Sequence, residues 1–170
     1  MPSCEKSTAS CPAPWRTSAG SGRNGMPRSP VCVDASLVVA LVTPEVQSEK
    51  AIGLWGEWMR SGVKIIAPPL LRCEVASALW RKVVRSVMEL EDARLCLQEA
   101  LSLDIEFLDP PELPLRAFQL AARFRRPAAY NAHYLALAEL MKAEFWTADE
   151  RLCNAVRKEF PHIRWLGDYK

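Results

Sequence analysis

The chain predicts an α/β fold: a mainly parallel, twisted β-sheet with α-helices on both faces. Three observations carry that expectation. From residue 31 onward, short apolar runs alternate with longer stretches of helical spacing. Strands that alternate with helices in this way pair in parallel through right-handed crossovers, which places helices on either side of the sheet. The chain has 170 residues, of which 49% are hydrophobic and 25% charged, enough for one globular domain with a sizeable core.

VCV (31–33) reads as a buried strand, and SLVVALV after it as a short helix. A longer helix follows in PEVQSEKAIGLWGEWMRSG and ends near Gly62. VKIIA (63–67) is the second strand. Pro68 and Pro69 suit a helix start, and Leu71, Val75, Ala78, Leu79 and Val83 make an apolar stripe that runs to about Arg85. Leu90, Ala93, Leu97, Ala100 and Leu101 repeat that spacing ahead of a strand in IEFL (105–108). The rest reads as a helix in PELPLRAFQLAARF, a helix over 132–142, the strand EFWT (144–147), a helix in DERLCNAVRKEF and the strand IRWL (163–166).

Residues 1–29 are rich in Ser, Pro, Gly and Ala and lack apolar periodicity, so a disordered extension is expected there, ahead of a domain over 30–170. Met26, close to the first strand, is a second candidate start. The opening segment has no apolar core of a signal peptide, and no apolar run reaches the length of a membrane span, so a soluble, cytoplasmic protein is expected. The six cysteines form no CxxC pair, which suits reduced thiols.

The net charge of +2 is unevenly placed. Lys6, Arg16, Arg23 and Arg28 against Glu5 give residues 1–30 a charge of +3, leaving −1 for residues 31–170. The domain is therefore not a basic module, and bulk charge does not argue for nucleic acid. Local clusters can still meet phosphates, among them Arg81, Lys82 and Arg85, or Arg123, Arg125 and Arg126. The ordinary reading of each is a solvated face.

Four polar residues fall near helix starts. Asp34 follows the first strand, Glu74 lies early in the helix after the second, and Asn131 and Asp149 each precede a helix. In an open parallel sheet, strand carboxyl ends and helix starts share the edge where ligands bind. Asp and Asn are also favoured N-caps, which would account for Asp34, Asn131 and Asp149 without any chemistry. Glu74 is harder to dismiss. It sits beside the stripe of Leu71, Val75, Ala78 and Leu79, where an unpaired carboxylate is unfavourable unless Arg72 or a shared cation offsets it.

VCVDASLVVALV, LLRCEVASAL, YNAHYLALAE and WTADERL, taken in order, resemble the four motifs of PIN-domain ribonucleases, specifically the VapC toxins of toxin–antitoxin pairs. The similarity covers residues 31–170. It implies an acidic pocket of Asp34, Glu74, position 131 and Asp149, with Ser36 and Thr147 as supporting hydroxyls. It also implies one or two Mg²⁺ or Mn²⁺ ions that activate water for in-line hydrolysis of RNA phosphodiesters. Where the family pattern has Asp, this chain has Asn131. The amide oxygen can still coordinate and still cap, but a negative charge is missing, so weaker metal binding and impaired catalysis are expected. The resemblance further implies a homodimer neutralised by a small antitoxin. Trp55, Trp58 and Trp80 are candidates for contact surface or for core.

Two other readings stand beside this one. A catalytically inactive PIN-fold module would bind RNA or an antitoxin without cleaving. A receiver- or phosphatase-like domain would use Asp34 but wants a second acid close by, and DASLVVAL offers none. No thiol or hydroxyl nucleophile has a base beside it. His133 reads as structural or substrate-facing, and Cys153 as core.

Overall fold

A computed structural model describes residues 29–125 and 129–170. The expected disordered extension lies outside the described residues except for its last position, as does Met26. The chain orders as β1 (Val31–Val33), α1 (Ala35–Val42), α2 (Ser48–Ser61), β2 (Ile65–Ala67), α3 (Leu70–Val84), α4 (Leu90–Leu101) and β3 (Glu106–Phe107). Then come α5 (Leu113–Arg123), α6 (Tyr130–Leu140), β4 (Glu144–Thr147), α7 (Glu150–Val156), β5 (Ile163–Trp165) and a 3-10 turn over Leu166–Asp168.

The five strands form one sheet in the order β3-β2-β1-β4-β5, and every pairing is parallel. All residues of β1 and β2 are buried. Successive strand side chains point to opposite faces, so both faces of the centre are covered. The helices that cover it are amphipathic or apolar. Helix α1 packs against α2, α3 and α4, while α5 packs on α6 and α6 rests on β1 and β4.

Helix α2 is anchored at both ends. Its C-terminus closes on Gly62 in the left-handed conformation (φ 64°), whose N–H reaches back to Met59 O and Trp58 O, while Val63 N donates to Trp58 O at 3.0 Å. This is a glycine-terminated helix stop in which the left-handed residue satisfies the last carbonyls. On the helix flank, Lys50 Nζ donates to Gly167 O and Tyr169 O at 2.5 Å each, tying the C-terminal turn to α2. Trp55 and Trp58 are buried in the core, whereas Trp80 is 58% exposed. Of the three tryptophans, only Trp80 therefore has its ring free for surface contact.

The element order follows the alternation expected from the sequence, with strands trimmed at their ends. The second strand covers 65–67 rather than 63–67, because Val63 is engaged in the α2 stop. The sixth helix begins at Tyr130, two residues earlier than expected, and its N-cap position is Ala129. Among the described residues, no helix is long and apolar enough to cross a membrane.

Gly62 yields a direct test. A Cβ there meets no atom within 4 Å, so only the positive φ opposes it. The left-handed conformation disfavours Ala by roughly 1–2 kcal/mol, and Gly62→Ala is expected to lower the unfolding free energy by that amount, read as a lower urea midpoint with an unchanged denaturant slope.

Candidate active site

The order 3-2-1-4-5 makes β1 and β4 neighbours whose chains leave the sheet toward opposite edges, which is the switch point where open α/β sheets hold ligands. The two segments that emerge there carry Asp34 and Thr147-Ala148-Asp149. Val33 is in register with Trp146, so one step further along the strands Asp34 comes beside Thr147.

Asp34 is 6% exposed, and both of its carboxylate oxygens are engaged. Oδ1 accepts from Ser36 Oγ at 2.7 Å and from Leu37 N at 3.0 Å, while Oδ2 accepts from Thr147 Oγ1 at 2.6 Å. The bond from Leu37 N makes Asp34 the N-cap of α1. The two hydroxyls are themselves fixed. Ser36 Oγ lies 3.2 Å from Thr147 Oγ1 and accepts from Ala148 N, and Thr147 Oγ1 accepts from Asp149 N. Asp149 caps α7 through Leu152 N at 3.0 Å.

Glu74 stands in the second turn of α3, half-buried. Its Oε2 accepts from Tyr134 Oη at 2.5 Å. Arg72, the partner considered from the sequence, does not pair with it; its guanidinium lies 3.9 Å from the centroid of the Phe107 ring. Two residues apart on a helix, Arg72 and Glu74 point in different directions, so their nearness in sequence does not bring them together. Tyr134 is fully buried, stacks on Phe145 at 6.1 Å, and its backbone carbonyl accepts from Cys32 Sγ. It thereby carries the position of the sheet centre out to Glu74.

Asn131 is the second residue of α6 and not its cap, and Ala129 at the cap position makes no side-chain bond. The capping explanation thus holds for Asp34 and Asp149 and fails for Asn131. No hydrogen bond to the Asn131 side chain is made among the described residues. Asp34, Glu74, Asn131 and Asp149 all line one open cavity of about 770 Å³, together with Ser36, Glu45, Arg81, Lys82, Arg85 and Tyr130. Thr147 sits behind Asp34, fully buried. His133 Nδ1 lies 2.9 Å from Ala129 O, and Cys153 is buried.

Electrostatics follow from this packing. Burial raises the Asp34 carboxyl to about 6 from an ordinary 3.8, and the Asp149 charge adds to the rise, while Thr147, Ser36 and Leu37 hold it down. Burial, and then the Glu74 carboxylate, push the Tyr134 phenol far above its usual range, so it remains a donor. Among the described residues, no three His, Cys, Asp or Glu side chains stand close enough to form a metal cluster. The carboxylates line the cavity at separate points. Such a donor set suits a cation that keeps much of its water and takes one or two carboxylates plus substrate phosphate, which is how Mg²⁺ is commonly held.

Tyr134 has no counterpart among the site residues expected from the sequence. It lies on the apolar stripe of α6, where a tyrosine reads as core, and only the sheet shows that its hydroxyl ends at Glu74.

Comparison with known proteins follows the same outline. The family model described as PIN domain matches residues 31–158. VapC ribonuclease Mb0985 of Mycobacterium bovis is 28% identical over 131 residues, 77% of this chain and 94% of that protein. Ribonuclease VapC3 of Pyrobaculum aerophilum is 30% identical over 124 residues, 72% of this chain and 91% of that one. In structure, PAE2754 from Pyrobaculum aerophilum superposes with a TM-score of 0.57 at 23% identity, covering 74% of this chain and 78% of that one. Mycobacterium tuberculosis VapC20, described as a sarcin-ricin loop cleaving toxin, gives 0.58 at 16% identity, covering 79% and 98%. These last two likenesses are of fold.

The Asp34 environment sets a pH-dependent stability. An acid whose pKa is higher folded than unfolded favours the native state when protonated. That contribution is fully present below about 3.8 and is lost as pH rises through about 6. Two pKa units correspond to about 3 kcal/mol as an upper bound. Asp34→Asn is therefore expected to be more stable than the parent near neutral pH, by up to that amount, and no more stable near pH 4. Urea denaturation at the two pH values measures the difference, and a neutral-pH loss of stability would contradict this picture of Asp34.

Proposed function

This chain belongs to the PIN-domain family, and on that premise we propose that it is a metal-dependent endoribonuclease of the VapC toxin type, weakened by Asn131. One observation carries the reading. Three carboxylates and an amide, drawn from four separate segments, line a single cavity at the sheet's switch point. Its VapC-named relatives, aligned over most of their own length, support the ribonuclease class.

The chain's own groups divide the work. One or two of Asp34, Glu74 and Asp149 would hold Mg²⁺ or Mn²⁺ directly, the rest acting through its water, with Asn131 contributing an amide oxygen instead of a charge. When bound, such an ion supplies electrophilic stabilisation of phosphate charge and a more acidic water. Ser36, Thr147 and the Leu37 amide keep both Asp34 oxygens oriented, so the carboxylate need not reorganise when a cation or phosphate arrives. Tyr134 does the same for Glu74 through Oε2, and among the described residues Oε1 accepts no hydrogen bond. Asp149 keeps one oxygen beyond its capping bond. Asn131 provides no charge, so the pocket has fewer anions with which to retain a divalent ion.

A second reading rests on that same amide: a PIN-fold module that binds RNA or a small antitoxin without cleaving. In either case the partner would be a basic antitoxin, and the toxin would be a homodimer. The exposed Trp80 ring on α3 is one apolar surface for such contacts.

Asn131→Asp separates the readings. Changes in the surroundings of metal ligands alone alter affinity or activity about 10- to 100-fold, so restoring a ligand's charge is expected to raise Mn²⁺ affinity and RNA cleavage at least as much. Adding Asp34→Asn to that variant should abolish both. Helix α6 should be unharmed, since an acid in its first turn complements the helix dipole. Cleavage in excess chelator, or no response of Mn²⁺ binding to Asn131→Asp, would rule out the metal-pocket model.

A further inference from the structure

Resting on the reading that this cavity takes RNA, we propose that the end of α3 and the start of α6 give it a strand-binding subsite, in which Arg81 and Arg85 hold backbone phosphates and Tyr130 stacks on an unpaired base. Helix α3 brings both signs of charge to one cavity. Glu74 lies near its start, and Arg81, Lys82 and Arg85 lie at its end. Cations in a last helical turn already complement the dipole, so their presence alone says little. Their partners say more. Lys82 is neutralised by Glu45 at 2.6 Å. Among the described residues, the side chains of Arg81 and Arg85 make no ion pair and no hydrogen bond, although four carboxylates, Glu45 among them, line the same space.

Helix geometry explains why those charges do not collapse onto each other. Seven residues separate Glu74 from Arg81, about 10 Å along the axis, roughly a Debye length at moderate salt. The cavity is thus acidic at one end and cationic at the other. A lone phosphate satisfies only one end. With a divalent ion at the carboxylates a nucleic-acid strand serves both, because at about 3.4 Å of rise per nucleotide a phosphate at that ion leaves others a few steps away, over the arginines; in chelator only the arginine end is read. Each guanidinium is a planar fork that matches phosphate oxygens in pairs.

Tyr130 supplies an independent observation. It is the first residue of α6, next to Asn131, and lines the cavity with its ring 60% exposed. Its hydroxyl has no hydrogen-bond partner among the described residues. An exposed ring that shares a cavity with phosphate-binding cations is the arrangement by which splayed bases are held, and a base already paired in a duplex cannot reach it.

The test uses the full chain and a short labelled oligoribonucleotide without secondary structure, titrated in excess chelator over a range of salt. Each phosphate contact on a single strand contributes about 0.7 to the slope of log affinity against log salt. Arg81→Ala with Arg85→Ala should therefore lower that slope by about 1.4, while Lys82→Ala, whose charge Glu45 already neutralises, should leave it in place. Tyr130→Leu should weaken the single strand about tenfold and leave a duplex of the same sequence unaffected, and Tyr130→Phe should retain binding. Circular dichroism checks that each variant is folded. An unchanged slope in the double-arginine variant, an equal effect of Lys82→Ala, an equal Tyr130→Leu loss on duplex, or displacement of the strand by millimolar inorganic phosphate overturns the subsite. Cleavage by the Asn131→Asp variant with Mn²⁺ distinguishes the two levels. If it cleaves while the arginine changes alter neither binding nor cleavage, the subsite is wrong and the ribonuclease reading stands. If strand binding falls as described but nothing cleaves, the subsite stands and the enzyme reading falls.

Discussion

The bond from Thr147 Oγ1 to Asp34 Oδ2, 2.6 Å long, is the contact on which the site depends. It joins residues more than a hundred positions apart and exists because β1 and β4 are parallel neighbours, with Val33 in register with Trp146. Each chain leaves its strand at the same edge, one to begin α1 and the other α7. Asp34 and Asp149 then cap those two helices through Leu37 N and Leu152 N. Capping and site-building are thus one act at these positions: the bonds that start the helices also orient the carboxylates.

A buried carboxylate held this way is in tension with stability. Burial and the Asp149 charge disfavour the ionised form of Asp34, and the three hydrogen bonds from Ser36, Leu37 and Thr147 offset that only in part. Nothing in the core requires an acid there, since a neutral amide can accept and donate in the same places. On the proposed reading, a bound cation would stabilise the ionised group. The same logic bears on Glu74, whose neighbour is a tyrosine that donates without neutralising. Three carboxylates from separate segments face one cavity, and the proposed cation would be held among them.

Asn131 weakens that argument at one corner of the cavity. Because it is not the cap of α6, its presence has no local structural explanation among the described bonds. It lines the cavity, next in the chain to the exposed Tyr130. An amide at that point lowers the repulsion among the carboxylates as well as the attraction for a divalent ion. On the proposed reading, weaker catalysis and lower repulsion within the cavity would share one cause, the missing charge.

Period and punctuation in the sequence were enough to determine the order of strands and helices, because apolar spacing and stops such as Gly62 act over a few residues. They sufficed as well to single out Asp34, Glu74, Asn131 and Asp149 as residues at one edge, since the carboxyl end of every parallel strand shares that edge. Local signals could not decide partners. Arg72 is two residues from Glu74 in the chain but lies on Phe107, while Glu74 is met by Tyr134, sixty positions away on a helix that reads as core. Nor could they show that Lys82 is neutralised and Arg81 and Arg85 are not, for the three read alike as a basic cluster. Helix starts shift by a residue or two on weak preferences, which is why Asn131 reads as a cap and is not one. Only the tertiary structure settled these points, because a side chain's partner is set by which elements the sheet brings together, and that is a property of the whole chain.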